Sequence, residues 1–115
     1  MDLTIKEIAE AFSGHKFDRA YPYLLEDVRW NLIGDKRVSG KEGVVSTCEE
    51  TLSYLKGATT TFSKFEALEG DGFVVIDSLA EYKDADSTST IGSCDIFKFR
   101  EGKVAEITSY TTEIK

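Results

Sequence analysis

The sequence is short of the residues on which several common chemistries depend. It has one histidine, His15, and two cysteines, Cys48 and Cys94, far apart in the chain. No Cys-x-x-Cys or mixed Cys/His spacing is present, so a transition-metal site has no ligand set and none is expected. His15 follows the helix-stopping Gly14 and is expected in an exposed turn, away from any site. The two thiols read as small buried hydrophobes in a reducing compartment rather than as a disulfide or a nucleophile. Glycines 70 and 72 join strand to strand with no helix after them, so they form no phosphate loop. Asp84 and Asp86 lack the surrounding pattern of a calcium loop and read as a solvated turn. No cofactor is expected.

Positive charge is also scarce. Fourteen lysines and arginines face 21 acidic residues, a net charge of −7. The basic residues are scattered, so phosphate backbones and anionic headgroups meet repulsion and no basic patch; nucleic acid and membrane surfaces are not expected partners. No apolar run approaches the roughly 20 residues that cross a bilayer. Met1-Asp2-Leu3-Thr4 lacks the basic start and apolar run of a signal peptide, which makes a cytoplasmic setting the expectation.

What is there reads as one domain over residues 1–115, without linker, repeat or low-complexity tract. Thr4-Ile5-Lys6-Glu7 is a capping box, and Ile5, Ile8, Ala9 and Phe12 recur at helical spacing up to Ser13-Gly14. A second short helix is expected after Asp18, with Pro22 in its first turn. Val28, Trp30 and Leu32 alternate with polar Arg29 and Asn31, which is strand periodicity. After the Gly34-Asp35 turn, Ser39-Gly40-Lys41-Glu42 reads as a second capping box. It opens a helix bearing Val44, Val45, Cys48, Leu52 and Leu55 and ending at Gly57. The second half is strand-like: 59–68, 73–82, 87–99 and 104–112, separated by short turns, as in an antiparallel meander.

Helices followed by a meander is the α+β pattern. Strands of ten or more residues are long for so small a domain, and a flat sheet of them leaves one face bare. Curling the sheet around the helices covers that face and leaves a pocket where strands and helices diverge.

This order of elements, ending in Cys94-Asp95-Ile96-Phe97-Lys98-Phe99-Arg100-Glu101-Gly102-Lys103-Val104, resembles the nuclear transport factor 2-like superfamily. The Val38-Ser39-Gly40-Lys41-Glu42-Gly43-Val44 stretch is similar to that family's start of its third helix. The superfamily includes ketosteroid isomerases, SnoaL-type polyketide cyclases and limonene epoxide hydrolases. The resemblance implies a cystatin-like cone: three N-terminal helices packed on a strongly curved, mixed or antiparallel sheet that encloses a pocket. It implies fold far more than function, because the superfamily hosts many chemistries and many non-enzymes.

By the same resemblance, Asp95 matches the isomerase carboxyl that stays protonated in an apolar pocket and donates to the substrate oxygen. The other working parts do not carry over. The isomerase base falls on Leu32 or, one residue shifted, on Asn31, and its tyrosine falls near Ile8. The epoxide hydrolase's last-strand carboxylate falls near Ser109. Steroid isomerisation of that type is therefore not expected.

Alternation sets Asp95 on one strand face with Phe97 and Phe99, where desolvation raises a carboxyl pKa. Asp95 is thus either a ligand-facing acid or a carboxylate bonded to a neighbouring hydroxyl. Asp77 interrupts an apolar strand. An even-length loop between the strands turns it away from Asp95's face, and an odd loop brings both carboxylates inside. Trp30, aligned inward with Leu32, is either core or pocket wall. Three readings follow. The first is a SnoaL-like domain that binds a small apolar or amphipathic molecule through Trp30, Leu32, Phe97, Phe99 and Ser109, with Asp95 and a weaker claim for Asp77. The second is an isomerase, cyclase or dehydratase with Asp95 as catalytic acid and a second group unidentified. The third is a dimeric interaction module. The family's outer sheet face implies a homodimer, and the threonine-rich strand surfaces here suit such pairing.

Overall fold

The computed structural model describes residues 2–115. Helix α1 (Ile5–Ser13) opens on the expected capping box: the Glu7 N–H donates to Thr4 Oγ1 at 3.1 Å and the Thr4 N–H donates to Glu7 Oε1 at 2.9 Å. Ile8, Ala9 and Phe12 lie buried on its inner side. The second helix differs from expectation. Helix α2 (Phe17–Ala20) starts before Asp18, and Pro22 lies in a 3-10 turn (Tyr21–Tyr23) beyond it. Burial of Phe17 anchors the first turn, and the missing N–H of Pro22 ends the α-helical ladder.

Strand β1 (Leu24–Leu32) turns back into β2 (Lys36–Ser39), a short strand the sequence pattern does not announce. Its last residue, Ser39, pairs with Arg29, so Ser39 cannot also cap the next helix. The expected second capping box is therefore absent. Gly40 takes the N-cap of α3 (Lys41–Leu55) at φ 88°, a conformation that glycine adopts without strain, and its N–H donates to the Val28 carbonyl at 2.7 Å. Val44 and Cys48 pin the first half of α3 to the sheet, whereas Leu52 is 38% exposed on the second half.

Four long strands follow: β3 (Thr59–Gly70), β4 (Phe73–Lys83), β5 (Thr88–Arg100) and β6 (Lys103–Ile114). The sheet order is β2-β1-β6-β5-β4-β3. Only β1 and β6 run parallel; the other neighbours are antiparallel. The result is three helices on one open, mixed, six-stranded sheet. Register shifts between Leu24 and Arg29, between Phe62 and Lys64, and between Lys98 and Phe99 interrupt the ladders. Irregularities of this kind bend strands and increase twist, which is how a sheet this long curls over its helices.

The core fills one end of the curl. Val28, Val74, Ile76, Phe97, Val104 and Ile107 from the sheet meet Ile8, Phe12 and Val44 from the helices there, all essentially inaccessible. Towards the other end, the overhanging half of α3 and the curled strands diverge, and the interior opens.

Candidate functional site in the open end of the cone

The divergence leaves a cavity of about 980 Å³. Its wall is drawn from the α1–α2 junction, β1, the second half of α3, and the inward faces of β3 to β6. Strand register decides who faces it. The loop from Asp84 to Ser87 is four residues long, so Lys83 pairs with Thr88, and further along Ile76 pairs with Asp95 and Asp77 with Cys94. Asp95 therefore shares the inner face with Ile76 and Ser78. The Asp84 carboxylate holds that loop by accepting the N–H groups of Asp86 and Ser87, each at 2.8 Å.

Asp95, Trp30, Leu32 and Ser109 line the cavity. Phe97 and Phe99 do not. Two residues further along β5, Phe97 is already under the floor, wholly buried and edge-on to Phe12 at 5.6 Å. Phe99 follows the Lys98/Phe99 register shift and packs against the core. Asp77 is on the outer face of the sheet, where its Oδ2 lies 2.8 Å from Lys64 Nζ. It takes no part in the cavity, because the even loop gives it the opposite side.

The expectation for His15 is overturned most clearly. It does not sit in an exposed turn but lines the cavity, with its ring 5.7 Å from Phe17, 5.9 Å from Phe62 and 6.1 Å from Tyr82. The cause is the end of α1. The Lys16 N–H donates to the Ala11 carbonyl at 2.8 Å and the His15 N–H to the Phe12 carbonyl at 3.1 Å. This pair of bonds is a Schellman cap, whose left-handed position usually holds glycine. Here His15 holds it, at φ 66°, while Gly14 sits one place earlier. A Cβ on Gly14 would lie 2.9 Å from the Glu10 carbonyl oxygen, so the glycine is used for close approach and the left-handed turn falls to the histidine. That turn swings the imidazole inward.

A polar network surrounds Asp95. The Ser13 hydroxyl donates to Asp95 Oδ2 at 2.7 Å. Ser109 pairs with Asp95 across the β5–β6 ladder. The Trp30 Nε1–H donates to Ser109 Oγ at 2.9 Å, which leaves the Ser109 hydroxyl proton free to turn towards Asp95. Burial pushes the Asp95 carboxyl above the ordinary aspartate range, against the opposing pull of the Ser109 and Ser13 hydroxyls and of charge on His15. Burial pushes His15 the other way, below 6.5, and the Asp95 charge partly restores it. Tyr82 is raised, first by burial and then by the Asp95 charge. The two shifts bring the pKa values of the carboxyl and the imidazole towards each other within one cavity.

Ser13, Phe62 and His15 are among the lining residues that sequence reasoning missed. Loop parity marks Ser78 and Tyr82 once the even loop is accepted. For His15 the signal is weaker: a helix stop followed by buried Phe17. Among the described residues, no group of three or more His, Cys, Asp or Glu side chains is arranged to hold a metal ion.

No protein-family model matches the chain, and no curated protein matches it. Solved structures do. A nuclear transport factor 2-like protein of unknown function from Cytophaga hutchinsonii is 31% identical with a TM-score of 0.81, the match covering 91% of this chain and 93% of that one. A candidate polyketide cyclase from Pseudomonas putida is 16% identical with a TM-score of 0.71, over 95% of this chain and 92% of that one. A protein with a ketosteroid isomerase-like fold from Catenulispora acidiphila, solved in complex with trimethylamine, is 13% identical with a TM-score of 0.71, over 90% and 84%. The last two share the fold. The first shares enough sequence over nearly its whole length to show descent, and the chain belongs to the nuclear transport factor 2-like family.

Proposed function

We propose that the protein binds a small, mostly apolar molecule in the cone cavity, with Asp95 as its polar anchor. One observation carries this reading: a cavity of about 980 Å³ lined by aromatic side chains and containing a carboxyl held by the Ser13 hydroxyl. Pockets of this size and lining are the usual homes of small ligands. Relatives described as a candidate polyketide cyclase and as ketosteroid isomerase-like support that class of occupant. Trp30 is the single tryptophan and lines the cavity, so its fluorescence reports occupancy. Titration with a panel of small ring compounds should shift that emission saturably, and Ser109→Leu, which puts an apolar branch into the cavity beside Asp95, should weaken the response. A response unchanged in Ser109→Leu would remove the cavity from the binding.

A second reading is favoured by His15. Asp95 as acid and His15 as base form the pair that proton transfer next to a carbonyl requires. If the protein is such an enzyme, it should exchange a carbon-bound proton of a bound ketone with deuterated water. Both His15→Gln and Asp95→Asn should then lose the exchange while still binding; exchange surviving in either variant would refute the pair.

The sheet's outer face offers a homodimer surface, with Tyr110 and Ile114 each 48% exposed beside outward Leu79 and Ile96. Sedimentation equilibrium should give twice the chain mass, reduced to one by Ile96→Glu. The two free thiols, Cys48 and Cys94, fit a reducing compartment, which supports a cytoplasmic setting. Among the described residues no helix is long and apolar enough to cross a membrane.

A further inference from the structure

The charges that line the cavity are unbalanced. Asp35, Glu50, Asp84 and Asp95 contribute carboxylates against a single lysine, Lys36, and no arginine. His15 does not make up the difference, because burial disfavours its charged form. Among the described residues no lysine or arginine forms an ion pair with Asp95. The Ser13 hydroxyl donates to it at 2.7 Å, and Ser109 stands opposite it in the β5–β6 ladder.

Those hydroxyls matter to the sign. Ser13 donates, Ser109 can turn its proton the same way, and a donor to a carboxylate favours its ionised form. These donors oppose the larger effect of burial, which pushes the Asp95 carboxyl towards its neutral form because the chain supplies no cation beside it. An ionised carboxylate in that position requires a cationic partner. Around it, Phe12, Phe17, Trp30, Phe62 and Tyr82 present aromatic rings to the same space. Ring faces attract organic cations most strongly where water is excluded. The excess of negative charge over the whole chain, −7, draws cations towards the mouth and repels anions.

We propose that the ligand of the cavity is an organic ammonium ion, with its charge against Asp95 and its alkyl groups against the aromatic wall. The inference rests on the binding reading above and narrows it to one chemical class. The excess of carboxylates disfavours carboxylate and phosphate ligands, and a neutral ketone or alcohol gains no charge–charge attraction from it.

The test uses two probes of one shape, choline and its uncharged carbon isostere, 3,3-dimethylbutan-1-ol. Each is titrated into the full chain at mildly alkaline pH, with Trp30 fluorescence as the readout. Choline should bind at least about tenfold more tightly than the isostere, a preference worth about 1.4 kcal/mol. Asp95→Asn should reduce the preference to near unity. Phe62→Leu, which keeps the carboxylate and removes one ring, should reduce it by about threefold, and it stands in if Asp95→Asn fails to fold. Equal binding, or tighter binding of the isostere, overturns the ammonium proposal and leaves the binding reading intact. So does silence from both probes while a neutral dye such as Nile red quenches Trp30. Silence from all three overturns both.

Discussion

Replacing His15 by alanine and by glycine separates two effects that act on one residue. Both substitutions delete the imidazole and its contacts with Phe17, Phe62 and Tyr82 equally. They differ in backbone freedom. At φ 66° an L-residue is in the left-handed region, which costs roughly 1–2 kcal/mol. Glycine adopts it freely but loses roughly 0.5–1 kcal/mol more chain entropy on folding. The difference leaves His15→Gly more stable than His15→Ala by about 0.5–1 kcal/mol. For a domain of about 100 residues, each kcal/mol moves Tm by roughly 4–8 °C, so the two variants should melt several degrees apart. Urea unfolding followed by Trp30 fluorescence measures the same gap as free energy. Alanine as stable as glycine, or more so, would mean that His15 is not at the left-handed cap position, and the reason for its ring pointing into the cavity would be gone.

Ser109→Ala removes the acceptor of the Trp30 Nε1–H, at a tryptophan only 7% exposed, and should cost about 1–3 kcal/mol; a loss below about 0.5 kcal/mol would refute the bond. Asp95→Asn should alter how stability depends on pH. Because burial raises Asp95's pKa above 3.8, the folded state holds that proton more tightly than the unfolded chain. The resulting stabilisation is complete below 3.8 and is lost as pH rises through the folded pKa. Wild type should therefore lose ground to Asp95→Asn as pH rises across that window, and a difference independent of pH would contradict the shift. Lys64→Met breaks an ion pair whose side chains are 39% and 44% exposed, and should change unfolding free energy by less than about 1 kcal/mol.

The second half of the chain was legible because period-2 alternation and short turns fix strands and register together. An even loop at Asp84 to Ser87 is enough to set Asp95 inward and Asp77 outward. Where one residue has two uses, the pattern misleads. Ser39 has the spacing of a helix cap but is spent on pairing with Arg29, so Gly40 replaces it. Gly14 has the look of the left-handed stop but is needed for approach to the Glu10 carbonyl, so His15 takes the turn. Phe97 and Phe99 have the parity of Asp95 yet lie past the cavity floor, a matter of depth along β5 that alternation does not encode. The carboxyl at the site was thus readable, and its titrating neighbour was not, because that neighbour is delivered by a cap exchange rather than by periodicity.

The central claim is that His15 and Asp95 act on each other across one cavity. The chain's single histidine makes the measurement direct: its ring resonances can be titrated by NMR in wild type and in Asp95→Asn. Burial holds His15 below 6.5 and the Asp95 charge partly offsets it, so the wild-type pKa should lie below 6.5 and fall further in Asp95→Asn. A pKa at or above 6.5 in the wild type, or one that Asp95→Asn leaves unmoved, would contradict the account.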